Sequence, residues 1–213
     1  MTRGPLIVFE GAEGVGKSTQ LRRLTSWLES GGRVVHALRE PGGTPLGDEI
    51  RRLLLDPASD ITPRAEALLF MASRAQLVQS LVRPALAAGH VVLLDRFFLS
   101  TYAYQGAGRG LPEREVMEAN AVATSGLVPD LTLLFALPVA EGLARAEKRG
   151  ERDRMERNGD EFHHRVAQAF ASFATEAWQA AHRECGPIVT VDASGSADDV
   201  FARLLAVVEP RIG

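Results

Sequence analysis

The 213-residue sequence lacks most features of secreted, membrane-spanning or cysteine-rich proteins. Cys185 is its single cysteine, which excludes an internal disulfide and a cysteine-based metal site. No apolar run approaches the ~20 residues of a membrane span, and the first residues lack the apolar stretch of a signal peptide. The formal net charge is −3, so no overall positive field favours nucleic acid or membranes. We therefore expect a soluble, cytoplasmic protein that acts on small molecules.

Lysine is also scarce, since only Lys17 and Lys148 are lysines among the 24 basic residues. Lys17 lies in GAEGVGKS (11–18), which fits the P-loop pattern and follows a predicted strand. In such a loop the backbone N–H groups cradle phosphates, the lysine reaches the β and γ phosphates, and the Ser18 hydroxyl binds Mg²⁺. The alternative is a glycine-rich turn with a solvated lysine. The predicted ATP- and phosphate-binding residues are Gly11, Ala12, Glu13, Gly14, Val15, Gly16, Lys17, Ser18 and Thr19.

Five short apolar segments alternate with helical patterns along the chain. This order predicts an α/β protein with a three-layer P-loop NTPase fold, in which helices flank a five-stranded parallel sheet. We expect both faces of every strand to be buried. The predicted strands are residues 5–10, 33–40, 90–96, 130–138 and 187–193.

The rest of the chain predicts one domain over residues 1–213. Residues 63–88 read as one long helix that kinks or breaks at Pro84. Residues 149–161 (RGERDRMERNGDE) are almost all charged, and they predict either a solvated linker or an arginine-rich lid.

A P-loop alone does not identify the reaction. The sequence contains no N-K-x-D motif, which argues against a GTPase, and its third strand does not end in the acidic pair expected of a motor ATPase. Arg96 follows Asp95 at that strand end instead, so a second anion, a phosphorylated acceptor, is expected near the γ-phosphate.

The chain resembles the thymidylate kinase family, of the bacterial type, over almost its full length. The matching segments are FEGAEGVGKST, REPGGTPLGDEIR, EALLFMASRAQLV, DRFFLSTYAYQGAGRG, PDLTLLF and RGERDR. The resemblance implies transfer of the ATP γ-phosphate to dTMP, with Mg²⁺ as cofactor and a homodimer as the assembly. One position departs from the family pattern: Phe97 stands where tyrosine or histidine is common, which removes a polar tip.

The resemblance also implies which residues bind the acceptor. Arg51 and Arg96 grip its phosphate, because the guanidinium fork suits phosphate oxygens. Glu13 approaches the 3′-hydroxyl, and Tyr104 crowds the 2′ position. The alternatives without a functional role are a solvated glutamate at position 13 and a tyrosine that packs between helices at position 104. The dTMP-binding residues so implied are Glu13, Arg39, Glu40, Pro41, Arg51, Phe70, Arg74, Arg96, Ser100, Thr101, Tyr104 and Gln105.

Base recognition and the lid complete these expectations. Phe70 stacks on thymine, or else is a core residue, and Arg74 at i+4 shares its helix face and donates to a base carbonyl. The P-loop contains no arginine, so the lid must supply positive charge in the transition state. The catalytic residues expected are Lys17, Asp95, Arg96, Arg149, Arg152 and Arg154. The expected metal ligands are Ser18 and Asp95, with Asp95 acting directly or through water.

Two rival functions stay open at this point. One is a kinase of the same fold that acts on another nucleoside monophosphate or on a nucleoside. The Arg51 and Arg96 pair disfavours an uncharged nucleoside, because two buried guanidinium groups would then lack a partner. The other rival is a non-catalytic switch that uses ATP to change partners.

Overall fold

The computed structural model describes residues 3–138, 141–142, 145, 154–155 and 157–212. Within them, five parallel strands form one sheet in the order β2-β3-β1-β4-β5. All five predicted strands are confirmed, each slightly shorter than expected. The strands are β1 (Leu6–Glu10), β2 (Val35–Arg39), β3 (Val91–Asp95), β4 (Leu131–Ala136) and β5 (Ile188–Asp192).

Helices cover both faces of this sheet, which gives the predicted three layers. Alternate residues of β1 point to opposite faces: Leu6 and Val8 join one buried apolar cluster, and Ile7 and Phe9 join the other. The helices are α1 (Lys17–Ser30), α2 (Pro45–Leu55), α3 (Pro63–Leu77), α4 (Arg83–Ala87), α5 (Phe98–Thr101), α6 (Glu113–Thr124), α7 (Asp160–Ser172), α8 (Glu176–Ala181) and α9 (Ala197–Ile212). Among the described residues, no helix is both long and apolar enough to cross a membrane.

The expectation that every strand is buried on both faces is wrong for the two edges of the sheet. The central strands are almost completely buried. In the edge strands, Ala37 and Arg39 of β2 and Thr190 and Asp192 of β5 are exposed. An edge strand has a neighbour on one side only, so its flanking helix leaves part of it open to solvent.

The long helix at residues 63–88 is confirmed as a helical segment, but its irregularity precedes the proline. α3 ends at Leu77, a π-helical turn spans Val78–Val82, and α4 then begins with Pro84 in its first turn. Proline lacks an N–H group and its ring collides with the carbonyl four residues earlier. A widened π turn accommodates both problems before the proline is reached.

The strand order places the functional segments together. β1 lies between β3 and β4, with Phe9 paired to Asp95, so the chain leaves β1 and β3 at the same edge of the sheet. Glu40 follows β2 at that edge, and its backbone N–H donates to Asp95 O at 2.9 Å. In open parallel sheets ligands bind at this carboxyl edge.

Candidate active site

The P-loop residues form a tight turn between β1 and the start of α1. Gly16 precedes the helix with φ of 88°, a left-handed conformation that favours glycine. Gly11 also has a positive φ, and a Cβ there would lie 2.5 Å from the carbonyl oxygen of Phe135. The turn therefore presents the positive end of α1 and its backbone N–H groups to an anion.

Lys17 is folded back onto this turn. Its ammonium donates to the carbonyl oxygens of Gly11 and Ala12, both at 2.8 Å, and the side chain is almost completely buried. Burial, together with the nearby charge of Arg96, lowers the pKa of Lys17 to about 8, against the opposing effect of Glu13. The ammonium is thus held in a site that disfavours its charge until an anion arrives.

Ser18 and Asp95 offer hard oxygen atoms beside the P-loop. The Ser18 hydroxyl donates to Oδ2 of Asp95 at 2.9 Å. Oδ1 of Asp95 is buried and has no hydrogen-bond partner among the described residues. A hydroxyl and a carboxylate with one uncommitted oxygen are the donors that Mg²⁺ prefers, so this donor set fits the expected metal.

Arg96 is one of the cations that line the cavity. Its backbone adopts φ of 70°, which is uncommon for a residue with a side chain, and its N–H donates to Phe9 O at 2.9 Å. The guanidinium forms an ion pair with Glu13 and donates to the Ser100 hydroxyl at 3.0 Å. Burial raises the pKa of Tyr104, so its phenol stays protonated and donates to Glu13 at 3.1 Å.

Two further arginines stand beside Arg96. Arg51 of α2 donates to the carbonyl oxygen of Pro41 at 3.0 Å, and Arg39 ends β2. A Cβ placed on Gly42 would lie within 4 Å of both side chains, so they flank the same loop. Three guanidinium groups therefore converge on one wall, a suitable site for a phosphate dianion.

Arg74 is more deeply buried than its predicted role suggests. It is 2% exposed and forms an ion pair with Glu40. Its remaining N–H groups donate to Thr101 Oγ1 at 3.0 Å, Phe97 O at 2.8 Å and Asn120. Burial raises the pKa of Glu40, although the attraction of Arg74 opposes the rise. All five donors of Arg74 thus have protein acceptors, and donation to a base carbonyl requires sharing one of them.

Phe70 and Gln105 line the same side of the cavity. Phe70 is only partly buried and lines the cavity. Gln105 is buried, and its amide nitrogen donates to Glu66 Oε1 at 3.0 Å. Both residues line the cavity together with Arg74 and Thr101.

Most predicted residues border one cavity of about 540 Å³. Gly11, Ala12 and Val15 of the P-loop do not line this cavity. Arg149 and Arg152 lie outside the described residues. Arg154 donates to Glu66 at 2.6 Å and to Leu54 O at 2.7 Å, so it is held by protein groups rather than directed at the P-loop. The predicted residues that line the cavity are Glu13, Gly14, Gly16, Lys17, Ser18, Thr19, Arg39, Glu40, Pro41, Arg51, Phe70, Arg74, Asp95, Arg96, Ser100, Thr101, Tyr104 and Gln105.

Sequence reasoning missed several polar residues that organise this cavity. Glu10 accepts from the backbone N–H groups of Phe97 and Ser100, at 2.7 and 3.1 Å, and so fixes the start of α5. Glu66 and Asn120 are buried partners of the site arginines. Arg145 lines the cavity, and its position a few residues before the charged segment 149–161 was the only local signal for it.

Comparisons with known proteins give one and the same family over nearly the whole chain. A family model described as thymidylate kinase matches residues 9–203. The chain is 46% identical to a thymidylate kinase of Deinococcus radiodurans, over 99% of each chain. It is 49% identical to one of Synechococcus sp. (strain JA-2-3B'a(2-13)), over 97% of this chain and 95% of the relative. A crystal structure of thymidylate kinase from Ehrlichia chaffeensis superposes with a TM-score of 0.75 at 26% identity, covering 97% of this chain and 99% of that one.

The lowered pKa of Lys17 predicts proton uptake on nucleotide binding. Above about pH 8 the ammonium is mostly deprotonated in the free protein, and a triphosphate beside it favours the charged form. Binding of ATP at about pH 9 should therefore take up close to one proton, and binding at about pH 6.5 almost none. Calorimetric titrations in two buffers of different ionisation enthalpy measure this number. A buffer-independent heat at the higher pH would contradict the assignment, and Lys17→Met is the control that should abolish the uptake.

Proposed function

The chain belongs to the thymidylate kinase family, and on this premise we propose how its residues transfer the γ-phosphate of ATP to dTMP. The products are dTDP and ADP. One observation carries the proposal: Lys17 and Arg96 border the same cavity. A binding site for donor phosphates therefore adjoins a binding site for an acceptor phosphate. A nucleoside lacks the anion that the arginine wall would bind, and neither rival function gains support from the relatives.

The donor is held by the P-loop. The N–H groups at the start of α1 bind the phosphate oxygens, and Lys17 exchanges its two carbonyl partners for the β and γ phosphates. Ser18 and Asp95 would hold Mg²⁺, directly or through water. Bound there, the ion neutralises charge on the β and γ phosphates.

The acceptor is held on the opposite wall. Arg39, Arg51 and Arg96 bind its phosphate, which reduces the repulsion between two polyanions. Glu13 neutralises the charge of Arg96 before the acceptor binds. Once the acceptor is bound, the Glu13 carboxylate is placed to accept a hydrogen bond from the 3′-hydroxyl. Tyr104 lies against Arg96, its ring centroid 5.2 Å from the guanidinium carbon, where it can crowd a 2′-hydroxyl. No general base is needed, because the attacking phosphate oxygen is already an anion.

The remaining assignments complete this proposal. We propose that residues 1–213 act as one P-loop kinase domain, with 149–161 as a lid that excludes water from ATP. Arg149 and Arg152 are the lid residues assigned to the transition state, because Arg154 is engaged with Glu66. We also propose a cytoplasmic location, which the single, buried and unpaired Cys185 supports.

We propose that the protein is a homodimer. Leu68 on α3 and Val122 on α6 are large apolar residues that are 64% and 82% exposed, and the two helices pack together. A second copy would cover this face. Sedimentation should give the mass of two chains, and Val122→Glu should shift it toward one. A monomeric wild type would contradict the proposal.

The reaction itself is tested by acceptor-dependent release of ADP. Wild type should release ADP only when dTMP is present, and Lys17→Ala should lose about a hundredfold or more in turnover while staying folded. The control is Arg114→Ala, which removes an exposed arginine of α6. A folded Lys17→Ala protein that keeps more than about a tenth of wild-type turnover would overturn the P-loop assignment. ADP release independent of dTMP would overturn the kinase assignment.

Base selectivity is the sharpest expectation for the acceptor side. Arg74 has only donors, which suit the 4-carbonyl of thymine and oppose the amino group of cytosine. We expect kcat/KM for dCMP to be about tenfold to a hundredfold below that for dTMP, and dUMP to be a weaker but real substrate.

Replacement of Arg74 alone would leave Glu40 buried without its partner, so the variant should be Glu40→Gln with Arg74→Gln. Glutamine can donate or accept, and the preference for dTMP over dCMP should fall in the double variant. Equal kcat/KM values for the two nucleotides in wild type, or an unchanged ratio in the double variant, would show that Arg74 does not read the base.

A further inference from the structure

Glu66 of α3 is a buried carboxylate outside the reacting groups. It is 0% exposed, and three side chains donate to it: Gln105 at 3.0 Å, Arg109 at 3.0 Å and Arg154 at 2.6 Å. Burial alone would raise the pKa of Glu66, but the hydrogen bonds from Arg109, Gln105 and Arg154 lower it. The group is therefore an anion at neutral pH, shared by two guanidinium groups.

Through Arg154, Glu66 fixes a turn next to the cavity. Arg154 also donates to Leu54 O at 2.7 Å, and its backbone N–H donates to Leu55 O at 3.1 Å, at the end of α2. Asn158 closes the turn by donating to Met155 O at 2.7 Å. Arg109 donates in turn to Asn158 at 2.7 Å. These bonds hold Met155 in place, and Met155 lines the cavity.

Glu66 also fixes one side chain of the cavity wall directly. Gln105 lines the cavity, and its amide nitrogen is turned to Glu66. The direction of the amide is thereby fixed, with its oxygen and its second N–H left for other partners. Glu66 lies one helix turn before Phe70 and two turns before Arg74, so the three side chains share a face of α3. Phe70, Arg74 and Gln105 all line the part of the cavity to which the proposed function assigns the acceptor, and we call this part the acceptor wall.

We propose that Glu66 is a positioning residue for the acceptor nucleotide, which orients the Gln105 amide and clamps Arg154 and Met155 against the acceptor wall. This inference rests on the proposed function, since it assumes that dTMP occupies that wall. Glu66 does not touch substrate. It acts through Gln105, which borders the base and sugar region, and through the turn that carries Met155.

Charge explains why a carboxylate is needed at this position. Arg109 and Arg154 both donate to the same oxygen, Oε2 of Glu66, so neutralisation of that one group leaves two neighbouring guanidinium groups to repel each other. Loss of the charge should therefore loosen the acceptor wall and leave the P-loop unchanged.

The test is Glu66→Gln, which keeps the shape of the side chain and removes its charge. KM for dTMP should rise about tenfold or more, while KM for ATP should change by less than about twofold. A role limited to stability would lower the melting temperature without separating the two KM values. The control is Arg64→Gln on the same helix, which removes an exposed ion pair with Glu115 and should change neither KM.

Arg154→Met gives a second route if Glu66→Gln fails to fold, because it leaves Glu66 paired with Arg109. KM for dTMP should then rise at least about threefold. In the double variant Glu66→Gln/Arg154→Met the penalty should be smaller than the product of the two single effects. Equal effects on both KM values in Glu66→Gln, or an unchanged KM for dTMP in Arg154→Met, would overturn the inference. Failure of the wild type to release ADP with dTMP would instead overturn the proposed function.

Discussion

A cavity that binds two polyanions must keep its arginines together before either anion is present. Buried guanidinium groups without partners repel one another and lose their hydration, which costs several kcal/mol for each buried ion. The protein places a carboxylate beside four of the arginines in and around the cavity. Glu13 pairs with Arg96, Glu40 with Arg74, and Glu66 with Arg109 and Arg154. This matching of internal charge is the constraint on which the rest of the site depends.

The ion pairs Glu40–Arg74 and Glu13–Arg96 differ in burial, and this difference suits a structural role for the first and a binding role for the second. Glu40 and Arg74 are almost completely inaccessible, so they form a fixed wall, and removal of either partner is expected to cost about 3–5 kcal/mol. Glu13 and Arg96 keep 26% and 19% of their side-chain exposure and face the open cavity. A phosphate that enters can share Arg96 with Glu13 at small cost, because neither group has to leave water completely. The rigid pair shapes the site, and the accessible pair exchanges partners during binding.

Sequence reasoning found what is local in the chain. The five strands, the P-loop and the residues around Asp95 and Arg96 each lie within short segments, so spacing and apolar pattern predict them. The ion pairs join residues that are 34 to 88 positions apart, and no local pattern indicates that Glu66 meets Arg154. The exposure of β2 also depends on sheet order, which only the assembled fold reveals. Arg154 was expected to supply charge to the transition state because the P-loop has no arginine, whereas its partner is a buried carboxylate on a distant helix.

The position of Arg96 shows how the fold supports the chemistry. Its left-handed backbone, with φ of 70°, turns the chain sharply after β3, and such a conformation persists only where neighbouring groups hold it. Glu10 provides that hold from the adjacent strand, because its carboxylate accepts from the N–H of Phe97 and from both the N–H and the hydroxyl of Ser100. Ser100 in turn accepts from Arg96. The phenyl ring of Phe97 is completely buried and packs against Arg74, so the turn is anchored without a polar side chain at this position. Hydrogen bonds to one buried glutamate therefore hold the turn from which the Arg96 guanidinium enters the cavity.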